Sequence, residues 1–335
     1  MDNAIYIVTG AAGHLGSFIV KLLLEQGKQV RALVLPGETC PGFIDENRDL
    51  LTVYTGNVCQ PDSLAPMFEG GTQEGFIVIH CAAIITLAKK ENRRVFDVNV
   101  GGTANIVEAC GKYKARRLVY VSSVHAIPPL PRGQVVREVE SFDPGAVPGY
   151  YDKTKAIATQ LVLDAARNGL DAVVVHPSGI IGPYGLPTGN MAQLIMRYVR
   201  GKLWAATRGG FDFVDVRDVA RGVIAAAVEG VSGECYILSN RYVALTEMFD
   251  TLSEASARKK LRLYLPSWIV KAFAPFAEAY YQLARRTPLF TRYSLETLSG
   301  NATYSHEKAS MALGYSTRSL KETLTDTVRW IKEGR

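Results

Sequence analysis

Short apolar runs recur at residues 4–8, 51–54, 76–80, 117–122, 172–176 and 234–238, each the length of a buried strand. Between them lie stretches whose apolar residues fall at helical spacing, at 17–26, 98–113, 154–167 and 216–228. Strands that alternate with helices need right-handed crossovers, and these give a parallel sheet covered on both faces. The pattern therefore predicts an α/β fold with a doubly wound parallel sheet. From residue 245 onward the alternation stops, and helical patterns bounded by Pro266, Pro275 and Pro288 lead into a last amphipathic helix at 319–332. With the proline- and glycine-rich stretch 177–187 and the helix after it, this part predicts a smaller, mostly helical lobe. The lobe is expected over the carboxyl ends of the strands, where open parallel sheets bind their ligands. The expected division is 1–175 plus 211–239 for the sheet and 176–210 plus 240–335 for the substrate lobe.

The turn between the first strand and the first helix reads Thr9-Gly10-Ala11-Ala12-Gly13-His14-Leu15-Gly16. Gly10 permits a tight turn, Gly13 lets backbone approach a pyrophosphate, Gly16 allows close helix-to-strand packing, and the anion rests on the helix N-terminus. Glycines in a turn can also be purely structural. Here the strand before and the helix after supply the context of a dinucleotide site, and with it a Rossmann sheet. NAD enzymes usually offer an acid to the ribose hydroxyls at the end of the second strand. This chain has no acid there until Glu38. Arg31 reads either as the partner of a 2′-phosphate or as a solvated strand residue, so the cofactor is NADP or NAD, with NADP favoured.

Tyr151 is followed four residues later by Lys155, one helical turn away on the same face. A cation held beside a phenol favours the phenolate, which turns a weak acid near pKa 10 into a proton donor and acceptor usable near neutrality.

Composition adds limits. The 335 residues are 47% hydrophobic and 21% charged, with net charge +6, so the chain is globular and its charge is too dispersed for nucleic-acid binding. The first strand starts near the first residue, with no apolar leader, and no uncharged apolar run reaches about eighteen residues. A soluble, cytoplasmic protein is expected, with a homodimer as its assembly. The cysteines, Cys40, Cys59, Cys81, Cys110 and Cys235, lack metal-ligand spacing and read as free thiols. His125 and His176 also lack ligand spacing, so no metal is expected, and they read as a pocket-wall residue and a satisfied strand-end residue. Residues 258–292 carry eight cations against Glu278 alone, with Trp268, Phe273 and other apolar residues among them. That segment reads either as an apolar cover of the substrate pocket with solvated cations, or as a peripheral membrane contact.

Taken in order, several motifs resemble the extended short-chain dehydrogenase/reductase family over nearly the whole chain. They are the glycine turn, His80-Cys81-Ala82-Ala83, the stretch from Asn99 to Asn105, Val121-Ser122-Ser123, Tyr151 with Lys155, the stretch from His176 to Pro183, and Phe213-Val214-Asp215-Val216-Arg217-Asp218-Val219. The runs from Tyr293 to Leu298, Ala309 to Gly314 and Ser319 to Leu324 look most like the dihydroflavonol reductase and 3β-hydroxysteroid dehydrogenase branch. The resemblance implies Tyr151 as general acid or base and Lys155 as its activator and ribose ligand. Ser123, with Ser122 as the alternative, would hydrogen-bond the reacting oxygen, and Asn99 would fix the helix backbone near the lysine. It further implies a cofactor site of Gly10, Ala12, Gly13, His14, Leu15, Gly16, Asn57, Val58, Ala82, Ala83, Val121, Pro177, Ser178 and Ile180. Asn57 replaces the family's usual aspartate at the adenine, a weaker acceptor than a charged one. The implied activity is hydride transfer between a nicotinamide cofactor and a small, apolar or aromatic secondary alcohol or ketone. A sugar-nucleotide epimerase or dehydratase, or a non-catalytic redox sensor, are the competing readings.

Overall fold

The computed structural model describes residues 4–38, 40, 49–86, 90–184, 190–266 and 292–334. Its strands are β1 (Ile5–Thr9), β2 (Val30–Val34), β3 (Leu51–Thr55), β4 (Phe76–His80), β5 (Arg117–Val121), β6 (Ala172–Pro177), β7 (Gly179–Ile181), β8 (Ala206–Thr207), β9 (Gly210–Asp215), β10 (Cys235–Leu238), β11 (Arg241–Ala244) and β12 (Tyr264–Leu265). The helices that matter below are α1 (His14–Glu25), α2 (Arg93–Phe96), α3 (Gly102–Lys112), α4 (Tyr150–Arg167), α5 (Asn190–Val199), α6 (Val216–Glu229), α7 (Leu245–Ser256), α8 (Arg292–Ser299), α9 (Glu307–Leu313) and α10 (Leu320–Glu333).

Seven strands form one parallel sheet in the order β10-β6-β5-β4-β1-β2-β3. The order reverses between β1 and β4, which opens the ligand crevice of such sheets at that point. Strand alternation then assigns each side chain to a layer. Ile5, Ile7, Leu118, Tyr120, Ala172 and Val174 pack with Ile106 of α3 and Val162 of α4. Tyr6, Val8, Val119, Val121, Val173 and Val175 pack with Phe18 and Ile19 of α1 and Val219 and Val223 of α6. These continuous apolar strands are what a sheet covered on both sides requires.

The expected strands and helices are present among the described residues, with α7, α8, α9 and α10 in the C-terminal part, while the helical patterns expected between Pro266 and Pro288 lie outside them. One piece differs from the expected division. Residues Gly210–Asp215, assigned to the sheet domain, form β9 of a separate three-stranded sheet in the order β11-β9-β7. The pairing explains this: β9 runs antiparallel to β11 and parallel to β7, and α6 and β10 separate β9 from β11 in the chain, so no local spacing announces the small sheet. The chain rejoins the main sheet through α6 and β10.

The 213–219 motif has a structural role in this junction. Asp215 caps α6 by accepting from Arg217 N at 2.8 Å. Arg217 also reaches Asp326 of α10 at 2.7 Å, and Arg318 N donates to Asp218 at 2.8 Å. The buried acids thus meet cations from the last helical segment, which ties that segment to the sheet. Among the described residues, no helix is long and apolar enough to cross a membrane.

Candidate active site

The turn after β1 is shaped by what its glycines lack. Gly10 has φ +66°, and a Cβ there would stand 2.9 Å from the Ala82 backbone. At Gly16 a Cβ would lie 2.2 Å from the Gly10 carbonyl oxygen, so only glycine allows α1 to start this close to β1. A Cβ on Gly13 would meet Gly10 O alone, at 3.1 Å, and otherwise faces open space. Helix α1 begins at Gly13 with no side-chain cap and no acid in its first turn. Its positive end is therefore uncompensated, which fits the pyrophosphate of a dinucleotide. Ala12 and Leu15 are buried, and His14 Nε2 bonds Pro183 O at 2.8 Å, joining the turn to the chain after β7. Burial lowers the His14 pKa, so that ring is neutral at neutral pH.

Around the adenosine end, Val58 is buried and its carbonyl accepts from Asn105 Nδ2 at 2.8 Å. Asn57 Oδ1 accepts from Cys59 N at 3.0 Å. The expectation for Arg31 is corrected. It sits near the amino end of β2, away from the crevice, and its guanidinium donates to the carbonyls of Met67 (2.7 Å), Glu69 (2.6 Å) and Gly70 (3.2 Å) while lying over Phe76. Three of its five N–H donors are committed to backbone carbonyls there, so the reading that favoured NADP loses its residue.

At the carboxyl end of β5 the reacting groups converge. Ser123 stands close enough to the Tyr151 hydroxyl to pull its pKa down, and both are nearly buried. Ser122 instead shares a 2.6 Å bond with Thr159 of α4, which leaves Ser123 as the serine at the phenol. Helix α4 starts where Asp152 Oδ2 accepts from Gly149 N at 2.9 Å, so its first turn presents Tyr151 and its second Lys155. Asn99 lies in a π-helical turn, Asp97–Gly101, a form frequent at functional sites. Its amide pairs with Ile84 N and O, fixing the segment that carries Ala82 and Ala83, and donates to Thr154 Oγ1 at 3.0 Å.

The lysine does not lie where simple pairing with the phenol would put it. Lys155 Nζ donates to Val121 O at 2.8 Å and to Tyr120 Oη at 3.2 Å. Burial pushes the Tyr151 pKa up, opposed by the nearby Ser123, and brings Lys155 down to about 7. Tyr151 is thus a protonated acid at neutral pH. Strand parity explains Tyr120: it alternates with Val121 and so faces α4, where His80 stacks on it at 5.6 Å. His80 in turn bonds Thr9 at 2.7 Å and Thr103 at 3.1 Å, so a buried polar chain runs beneath the cleft.

On the nicotinamide side, Pro177 ends β6, and Ser178 donates to Asp212 at 2.5 Å. Burial raises Asp212 to about 6. Ile180 lines a small apolar recess with His14, Ile195, Met196 and Trp330. His176 Nδ1 bonds Ser123 O at 2.9 Å and stacks on Phe142, while Nε2 has no partner among the described residues. No group of three metal-ligating side chains occurs among the described residues.

The model of the NAD dependent epimerase/dehydratase family matches residues 6–239. The chain belongs to that family. A putative dihydroflavonol 4-reductase of Synechocystis sp. is 31% identical over 98% of this chain and 94% of its own length. Sterol demethylase protein B of Methylococcus capsulatus is 28% identical over 98% of both chains. 3 beta-hydroxysteroid dehydrogenase type 7 of Mus musculus is 28% identical over 99% of this chain and 96% of its own length. Among solved structures, gox2253 superposes with TM-score 0.83 at 28% identity, covering 99% and 98% of the two chains. A UDP-glucose 4-epimerase of Thermotoga maritima reaches 0.76 at 22% identity, covering 98% of this chain and 99% of its own, which shows the shared fold alone. The protein is thus an NAD(P)-dependent oxidoreductase of the extended short-chain dehydrogenase/reductase type, a family whose reactions use a small-molecule substrate and a nicotinamide cofactor.

Motif reading did not find Tyr120, Asp212, or the nearness of His125 to Asp152. Tyr120 had a signal in strand parity. The other two depend on contacts between β9 or the 124–126 turn and distant segments, which no spacing encodes.

Proposed function

We propose that this enzyme transfers hydride between a nicotinamide cofactor and an apolar or aromatic secondary alcohol or ketone, with Tyr151 as the proton donor and acceptor. The observation that carries the reading is the Ser123 and Tyr151 pair at the end of β5, with Lys155 one turn further along α4. Two neighbouring hydroxyls can share a ligand oxygen between them, and the protonated phenol is set to give its proton to a ketone oxygen. The cofactor supplies the hydride. The turn from Gly10 to Gly16 would hold its pyrophosphate, Ala82 and Ala83 with Asn57 and Val58 its adenosine, Lys155 its ribose, and Val121, Pro177, Ser178 and Ile180 its nicotinamide. With Arg31 committed to carbonyls, nothing in β2 favours NADP over NAD.

The substrate class rests on two supports. Relatives named for sterols, hydroxysteroids and dihydroflavonols align along nearly the whole chain. The wall beside Tyr151 is aromatic: His125 stacks on Phe211 at 5.5 Å, and Phe211 meets Tyr304 at 6.0 Å. Trp268, Phe273 and the rest of the expected apolar cover from 267 to 289 lie outside the described residues. Arg258, Lys259, Lys260 and Arg262 are exposed, as are Trp204 and Leu263 on the neighbouring strand ends, which supports a surface contact with anionic lipid.

The test is a panel of kcat/KM values for trans-decalone, a saturated ketosteroid, a dihydroflavonol, UDP-glucose and dTDP-glucose with both cofactors. The proposal expects turnover of the ketones. Activity confined to the nucleotide sugars would transfer the assignment to an epimerase or dehydratase.

A further inference from the structure

Lys155 is 2% exposed, and no carboxylate pairs with it among the described residues. The titratable groups around it are all uncharged at neutral pH. Burial lowers His80 to about 3 and His176 to about 4, raises Cys81 to about 12, and raises the phenols of Tyr120 and Tyr151 above their ordinary value. An ammonium buried without a counter-ion depends on hydrogen bonds to neutral oxygens. Here these are Val121 O at 2.8 Å and Tyr120 Oη at 3.2 Å, and Nζ also lies 4.8 Å from the centroid of the Tyr120 ring.

The bonds behind Tyr120 have a fixed direction. Thr103 Oγ1 donates its proton to Asn99 O at 2.7 Å, so towards His80 Nε2 it accepts. That puts the imidazole proton on Nε2 and leaves Nδ1 to accept from Thr9 Oγ1 at 2.7 Å. Thr103 also stands close enough to the Tyr120 hydroxyl to pull its pKa down. An ammonium has no lone pair, so the Tyr120 proton turns from Lys155 and has the Thr103 oxygen as its acceptor. The phenol oxygen is thereby left to face Nζ with a lone pair.

We propose that Tyr120 is a positioning residue for hydride transfer: its hydroxyl, with Val121 O, takes two of the three ammonium protons of Lys155 and leaves one for the cofactor ribose. The inference rests on the reading of Lys155 as ribose ligand and of Tyr151 as the acid. It accounts for a lysine that stands against β5 rather than at the phenol. Tyr120 is 1% exposed and acts through Lys155. By accepting from Nζ it favours the charged form, and that charge draws Tyr151 towards the phenolate when an alcohol is oxidised.

The test is Tyr120→Phe in the full chain, which removes one oxygen and keeps the ring that His80 stacks on and that Nζ faces. Lysine ε-carbons are labelled with carbon-13, and the Lys155 resonance, identified by its loss in Lys155→Met, is titrated without cofactor. Its midpoint should fall by about one pH unit in Tyr120→Phe, a tenfold weaker hold on the proton. Thr103→Val, which removes the acceptor that orients the Tyr120 proton, should move the midpoint the same way by less, and it decides the matter if Tyr120→Phe does not fold. NADH affinity should weaken about three- to tenfold in Tyr120→Phe, with no further loss when that change is added to Lys155→Met. In the pH profile of kcat for hydroxysteroid oxidation, the acid limb should move to higher pH. An unchanged lysine midpoint, or an equal loss of NADH affinity with and without Lys155, would overturn the inference. A shifted midpoint in a protein that turns over no ketone or alcohol would instead overturn the functional proposal beneath it.

Discussion

The turn after β1 and the corner between β5 and α4 stand at the same edge of the sheet, yet they are built from opposite materials. The first is made of backbone and missing side chains: Gly10 at φ +66°, an open face at Gly13, and a helix end with neither cap nor acid. The second is made of buried side chains, Ser123, Tyr151, Lys155, Tyr120 and Asn99, each held by a partner far away in sequence. A backbone site tolerates little change of shape, because its atoms cannot move aside. A side-chain site tolerates shape but not chemistry, because burial sets which of its groups carry protons.

The largest expected effect lies on the chemical side. Tyr151→Phe removes one oxygen and should lower kcat by about 10²- to 10⁴-fold, while cofactor affinity, read by fluorescence titration, stays near its original value. Retained turnover would mean that the corner does not supply the acid.

The glycines sharpen the contrast. Gly16→Ala puts a Cβ 2.2 Å from Gly10 O, so it should lower Tm and cofactor affinity together. Gly13→Val meets only Gly10 O, at 3.1 Å, and otherwise open space, so it should abolish cofactor binding with a smaller loss of Tm than Gly16→Ala. Equal Tm losses in the two variants would erase the distinction between a packing glycine and an approach glycine.

Lys155 tests the cost of burying charge. Its folded pKa of about 7 lies below the ordinary lysine value of 10.5. Between those values the unfolded chain binds the proton and the folded one does not, so stability rises with pH across that window. Lys155→Met should end activity yet stabilise the protein by roughly 1–3 kcal/mol at pH 7, after loss of its hydrogen bonds. That gain should be complete below pH 7 and fade towards pH 10.5. Thermal melts across this range would contradict the account if the gain grew with pH.

The smallest effect is expected at Arg31. Arg31→Ala should cost about 1 kcal/mol of stability through its carbonyl bonds and change NADH and NADPH affinities equally. A selective loss of NADPH binding would return Arg31 to the cofactor.

The same contrast sets how far the sequence could be read. The sheet was legible because apolar strands covered on both faces show as continuous runs, and the glycine turn because Gly10, Gly13 and Gly16 are local to one another. Tyr151 and Lys155 were legible because they share one helix. Of their partners, Asn99 was reached through the family resemblance, whereas Thr154 and Tyr120 join Asn99 and Lys155 across β5, α4 and a π-helical turn, and Asp152 meets His125 only because α4 begins beside the 124–126 turn. Arg31 stayed open between two readings because its carbonyl partners, Met67, Glu69 and Gly70, lie far along the chain where no spacing announces them. The short strands β7, β9 and β11 were missed because they are only three to six residues long and pair with one another across α5, α6 and β10, far from any local spacing signal.

The most direct test of the central claim follows the hydride itself. Reduced cofactor carrying deuterium on its transferring nicotinamide carbon is mixed with trans-decalone or a saturated ketosteroid, and the product is analysed by mass spectrometry. The account predicts one deuterium on the carbinol carbon for each cofactor oxidised, in the unaltered protein and not in Tyr151→Phe. Cofactor that is never consumed, or an alcohol product without deuterium on its carbinol carbon, would contradict it.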